Sequence, residues 1–150
     1  MAVDSKLERA GKTERGIPPL RLLVIDDDPA NVELIQDALE QADLEILTAT
    51  DPIVGMELFA QKKPAIVLVD LVMPHLNGME VLDRMVAEDS SVEVVLMTGQ
   101  YSTESAVEAI RKGAADYLNK PVSIQKLRER VGRLIEEHRT RQRADRKSVV

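Results

Sequence analysis

The sequence predicts a doubly wound α/β domain, a parallel sheet with helices on both faces. Two observations carry that prediction. Five short runs rich in Val, Leu and Ile alternate with helix-period segments between Leu20 and His138. Leu22–Ile25, Ile66–Val69 and Val94–Met97 are unbroken apolar runs, the pattern of strands buried on both faces rather than half-exposed ones. Right-handed crossovers then put helices on both sides of the sheet.

The elements follow in order. Residues 1–19 have little apolar periodicity and end in Gly16-Ile17-Pro18-Pro19, which predicts a disordered leader. The first strand is expected near 21–25 and the first helix near 29–41, with Pro29 tolerated in its first turn. A second strand falls near 44–49. Asp51-Pro52, a capping residue and then a proline, opens a helix near 52–61. Pro64 stops it, and a third strand covers 65–69. The loop from Leu71 to Gly78 leads to a helix ending near Glu88, and the fourth strand is 92–97. A helix near 103–112 ends at Gly113, the residue best suited to a left-handed C-terminus. A fifth strand at 115–118 and a helix after Pro121 complete the pattern. That last helix carries Ile124, Leu127, Val131, Leu134 and Ile135 at helical spacing, a stripe expected to pack mostly on the sheet.

Composition narrows the function. At 150 residues the chain suits one domain with a full core. No apolar run reaches the roughly 20 residues of a membrane span, and the N-terminus has no apolar signal core. Cysteine is absent, which excludes disulfides and thiolate chemistry. A cytoplasmic location is expected. Residues 21–138 hold 22 acidic and 11 basic side chains, whereas 139–150 hold five basic and one acidic. The acidic body argues against a nucleic-acid surface on the core. The basic segment is a helical linker, a continuation of the last helix or a flexible tail, and the sequence does not choose.

The strongest signal is where polar residues fall. Asp26 and Asp27 follow the first strand, Asp70 the third, Thr98 the fourth, and Lys120-Pro121 the fifth. In open parallel sheets the carboxyl ends of the strands are where sites form. Clustered carboxylates must share protons, bind a cation or face a lysine. Asp26, Asp27 and Asp70 make a hard oxygen pocket suited to Mg²⁺. Lys120 adds a fixed positive charge and Thr98 a hydroxyl donor. A nucleophile, a metal and donors for phosphoryl oxygens are what phosphoryl transfer requires, with Asp70 the natural nucleophile. Asp28, just before Pro29, reads instead as a helix cap. His75 reads as a solvated loop residue. His138 sits near a predicted helix end, where it would oppose the dipole.

These residues occur within longer stretches: Leu23-Val24-Ile25-Asp26-Asp27-Asp28-Pro29, Leu68-Val69-Asp70-Leu71-Val72-Met73-Pro74 with Asn77-Gly78, Leu96-Met97-Thr98-Gly99, and Gly113 through Pro121. As a set they resemble the receiver domain of two-component response regulators, from Leu20 to about His138. The resemblance implies the flavodoxin-like strand order 2-1-3-4-5. It implies that Asp70 accepts a phosphoryl group from a sensor histidine kinase or a histidine phosphotransfer protein. Asp27, Asp70 and the Val72 backbone carbonyl would ligate Mg²⁺, with Asp26 acting largely through water. Thr98 and Lys120 would contact the phosphoryl oxygens, and the bond before Pro121 would be cis. Tyr117 stands where the family has its switch aromatic, and Gly99 would leave room for Thr98 to move. The face of the fourth helix, fifth strand and fifth helix would then act on a partner, an output domain or a second copy. Kinase specificity would reside mainly on the first helix, at residues such as Asn31, Glu33 and Leu34.

Other functions fit less well. A haloacid-dehalogenase-type phosphatase also phosphorylates a strand-end Asp, but needs a second acid two residues later, where this chain has Val72. The chain is therefore read as a phosphoacceptor rather than an enzyme acting on external esters. A flavin-binding relative would place phosphate against Asp26-Asp27-Asp28, which would repel it. Too few residues follow His138 for a helix-turn-helix module, so the chain is read as a stand-alone receiver or one excised from a larger output protein.

Overall fold

A computed structural model describes residues 18–148, with side chains assigned through 144. The strands are β1 (Leu20–Ile25), β2 (Leu44–Ala49), β3 (Ile66–Asp70), β4 (Glu93–Thr98) and β5 (Asp116–Asn119). The helices are α1 (Pro29–Leu39), α2 (Pro52–Lys62), α3 (Gly78–Glu88), α4 (Thr103–Arg111) and α5 (Ile124–Ser148). The sheet is parallel, in the order β2-β1-β3-β4-β5. Fold class and strand order are as the sequence and its resemblance implied. Most of the expected leader lies outside the described residues.

Alternation along each strand builds two cores. Leu22, Val24, Leu68, Met97 and Leu118 face α1 and α5, meeting Val32, Ile35, Leu127 and Val131. Leu23, Ile25, Val69, Leu96 and Tyr117 face the other side, with Phe59, Val81 and Met85 from α2 and α3. The central strands are inaccessible on both faces, which is why their sequences do not alternate.

Each helix starts on a polar side chain that satisfies backbone donors. Asp28 accepts from the Ala30 N–H, Asp51 from Ile53 and Asn77 from Glu80. Ser102 accepts from Ser105 and Ser123 from Lys126. Gly113 ends the α4 turn at φ 102°, as a left-handed terminus requires. Helix α1 stops at Leu39, two residues short of expectation, because Glu40 is already extended at ψ 124°. Asp70 and Thr98 are the last residues of their strands rather than the first of their loops.

The basic segment continues the last helix through Ser148. Part of the reason is electrostatic anchoring: Arg141 meets Glu93 at 3.1 Å, and Arg139 lies 3.8 Å from Asp43. This corrects the reading of His138. It lies within α5 and not at its end, so the dipole argument does not apply. Its Nε2 is buried with no hydrogen-bond partner. Burial pushes its pKa below the ordinary value, Arg141 adds to the drop, and Glu93, Glu137 and Asp89 oppose it.

A depressed histidine pKa means that the folded state binds its proton less readily than the unfolded chain. The associated stability is fully present above the unfolded value of about 6.5 and is lost as pH falls through the folded one. His138→Gln should therefore lose less stability than the parent chain between about pH 7.5 and pH 5.5 in urea titrations. Equal losses would refute this assignment.

Candidate functional site

Parallel register brings the predicted residues together. Asp26 follows β1, and Asp70 ends the adjacent β3. Asp70 pairs with Met97 of β4, so Thr98 lies one residue further along the neighbouring strand, opposite Asn119 of β5. Lys120 comes next, its backbone N–H held by the Thr98 carbonyl at 2.7 Å, and the Lys120–Pro121 peptide is cis.

One oxygen from each of Asp26, Asp27 and Asp70 lies within 4.8 Å of the others. This is a set of hard carboxylate donors that could hold a divalent cation. Asp26 is inaccessible and Asp70 nearly so, whereas Asp27 is exposed. Asp26 is also the most fully engaged: its Oδ1 accepts from the Asp28 N–H at 2.9 Å, and its Oδ2 accepts from both Lys120 Nζ at 2.8 Å and the Asn31 side-chain amide. That leaves little of Asp26 for a direct metal bond, whereas Asp27 faces solvent. The three are hard oxygen donors of the kind that suit Mg²⁺.

Lys120 Nζ also lies 3.2 Å from Asp70 Oδ2. Burial pushes the Asp70 pKa above the ordinary carboxylate value despite the pull of Lys120, and Asp26 adds to the rise. Burial works against the Lys120 charge too, but Asp26 and Asp70 together outweigh it and raise its pKa. Three carboxylates here face one ammonium, a charge balance receptive to a cation.

The remaining residues surround this centre. Thr98 is fully buried, and its hydroxyl accepts from the Gln100 N–H at 2.9 Å. Among the described residues no hydrogen bond joins it to Asp70. Val72 leaves its side chain 56% exposed while its N–H approaches Asp70 Oδ1 at 3.4 Å. Tyr117 is buried, with its hydroxyl unpartnered, and its ring packs against Tyr101 in a tilted pair, centroids 5.1 Å apart and planes at 59°. Neither Tyr101 nor the Asn31–Asp26 contact was foreseen from the sequence. With only two tyrosines and one phenylalanine in the chain, aromatic scarcity was the available clue to Tyr101. His75 is exposed, as expected, and adopts φ 72°, a region that histidine tolerates better than most residues.

The loop after Asp70 depends on Gly78. Its N–H donates to the Leu71 carbonyl at 2.8 Å, and a Cβ there would lie 2.5 Å from the Asp70 carbonyl oxygen. At Gly99, by contrast, a Cβ would meet nothing within 4 Å, so packing does not demand that glycine.

A parallel 2-1-3-4-5 sheet with three carboxylates and a lysine at its carboxyl ends defines a receiver-type α/β domain. The chain belongs to the response regulator receiver domain family, whose model matches residues 22–132. It is 36% identical over 109 residues to the protein PilH of Pseudomonas aeruginosa, covering 71% of this chain and 90% of PilH. It is 32% identical over 117 residues to the DNA-binding dual master transcriptional regulator RpaA of Synechocystis, covering 77% of this chain but 48% of RpaA. The chain spans about half the length of RpaA and of several other curated relatives it matches. A response regulator receiver domain protein from Clostridium thermocellum superposes with a TM-score of 0.74 at 30% identity, over 81% of this chain and 98% of that one. Among the described residues no helix is long and apolar enough to cross a membrane.

Gly78→Ala should cost roughly 1–3 kcal/mol, because its clash is with backbone that cannot step aside. Gly99→Ala should stay within about 0.5 kcal/mol. Urea unfolding of the two variants checks this, and equal effects would contradict the packing argument.

Proposed function

We propose that this domain is a phosphorylation-driven switch in which Asp70 takes a phosphoryl group from a phosphohistidine of a sensor kinase or phosphotransfer protein. The observation that carries this reading is Lys120 bridging Asp26 and Asp70 beside Asp27 at the strand ends. An Asp70 carboxylate oxygen attacks phosphorus; the P–O bond forms as the P–N bond breaks, and the imidazole nitrogen keeps the electron pair and takes up a proton. Bound Mg²⁺, held by Asp27, Asp70 and the Val72 carbonyl, would offset the charge on the phosphoryl oxygens. Lys120 and Thr98 supply the remaining donors.

Phosphorylation would draw the Thr98 hydroxyl away from the Gln100 N–H and change how Tyr117 packs. The face of α4, β5 and α5 is the output surface in this reading. On α4 and the loop before it this side already exposes Tyr101, Val107 and Ile110, an apolar set suited to a partner protein, an output domain or a second copy. The switching unit is residues 20–138, with 139–148 a helical extension. The groove between α1 and α5, lined by Leu34, Val122 and Ile124 next to Lys120, suits the docking kinase or phosphotransfer domain. The surroundings are those of a cytoplasmic signalling protein.

Beryllofluoride with Mg²⁺ imitates the aspartyl phosphate and tests the reading directly. Calorimetric titration should show saturable uptake by the parent chain and none by Asp70→Ala. Uptake that survives this substitution, or none by the parent, would dismiss Asp70 as the acceptor. Light scattering of the same samples tells a switch that self-associates from one that docks a different protein.

Phosphate lifetime follows from Val72, which has no polar group to orient an attacking water. Val72→Asn should speed Mg²⁺-dependent loss of phosphate by roughly ten-fold, through better positioning of water. An unchanged rate, followed with radiolabelled phosphoprotein, would remove Val72 from this role.

A further inference from the structure

We infer that Asn31 is a positioning residue for phosphoryl uptake: its amide keeps the buried Asp26 carboxylate paired when Lys120 transfers to the phosphoryl group on Asp70. The inference rests on the phosphoacceptor reading above.

One ammonium serves two carboxylates here. Lys120 Nζ stands 2.8 Å from Asp26 Oδ2 and 3.2 Å from Asp70 Oδ2. When Asp70 gains a phosphoryl group, its added negative charge and acceptor oxygens become the stronger attraction for Lys120. Asp26 would then lose Lys120, the one charged donor it has among the described residues. Its side chain has no access to water, and a buried carboxylate that loses a partner is costly to leave unpaired. Without a second donor, that cost would oppose every phosphorylation event.

Asn31 supplies the second donor. Its side-chain amide donates to the same Oδ2 that Lys120 holds. It stands in the first turn of α1, where its backbone N–H is tied to the Asp28 carbonyl at 3.1 Å and Pro29 fixes the entering chain. A short side chain on that anchored turn keeps its place whichever partner the long lysine takes. Nor does Asn31 owe its position to helix capping, since Asp28 already fills that role. Asp26 also keeps the Asp28 N–H on Oδ1, so Asn31 is what remains for Oδ2.

The test separates the two states of Lys120. Asn31→Leu removes the donor at similar volume, Asn31→Ala removes it without added bulk, and Asn31→Gln restores an amide. Each variant is titrated by calorimetry, first with Mg²⁺ alone and then with beryllofluoride in saturating Mg²⁺. With Mg²⁺ alone, Lys120 still pairs with Asp26, so the Leu and Ala variants should stay within about two-fold of the parent. With beryllofluoride, their affinity should fall by roughly ten-fold, as expected when a buried acceptor loses its donor. Asn31→Gln should recover most of the loss.

Unchanged beryllofluoride affinity in both variants would overturn the inference and leave the phosphoacceptor reading standing. So would parallel losses of Mg²⁺ affinity, beryllofluoride affinity and melting temperature, because those mark a merely structural residue. No recovery in Asn31→Gln would also count against it. A parent chain without Asp70-dependent uptake would withdraw both readings.

Discussion

Lys120 is the interaction on which the rest of the site depends. Parallel strands deliver Asp26, Asp27 and Asp70 to one small volume, and like charges so placed repel. An ammonium shared by Asp26 and Asp70 makes that crowding tolerable. Removing one partner of a buried ion pair typically costs about 3–5 kcal/mol, because the other charge is left stranded. Here the stranded group would be Asp26, the one with no water to turn to. Burial, more than the neighbouring Asp26, raises the Asp70 pKa despite the pull of Lys120. The site is stable enough to fold and short enough of positive charge to welcome a cation.

Around that centre stand two buried hydroxyls in different conditions. The Thr98 hydroxyl accepts from the Gln100 N–H. The Tyr117 hydroxyl is buried without a partner, a condition worth roughly 1–3 kcal/mol of lost solvation, while its ring rests on Tyr101. A change in charge at Asp70 therefore acts near a buried hydroxyl, that of Tyr117, that has something to gain by rearranging. The two cores lie on opposite faces of the sheet, one against α1 and α5 and the other against α2, α3 and α4.

Much of this was legible in the sequence because it follows from chain-local rules. Unalternating apolar runs fix buried parallel strands, and polar residues at their ends fix where Asp26, Asp70, Thr98 and Lys120 converge. Caps such as Asp28 and Asp51 were equally readable. Contacts between residues close in space but without a shared pattern were not. Asn31 reaches Asp26 because α1 begins with a particular turn, and Tyr101 meets Tyr117 because the β4–α4 loop folds back. His138 was misplaced for a different reason. A helix that turns polar on all sides after Ile135 has no periodicity left to read, and its contacts there, Arg139 with Asp43 and Arg141 with Glu93, join residues far apart in the chain.

Helix α5 runs for 25 residues, or about 37 Å at 1.5 Å per residue. It begins just beyond Lys120 and Pro121, beside the carboxylates, and extends past the last buried residue of its stripe, Ile135. Leu127, Val131, Leu134 and Ile135 seat it on the sheet, and Arg139 and Arg141 tie its later turns to Asp43 and Glu93. The geometry makes α5 a brace that joins the acidic site to the opposite end of the sheet, so the two ends of the domain share one helix.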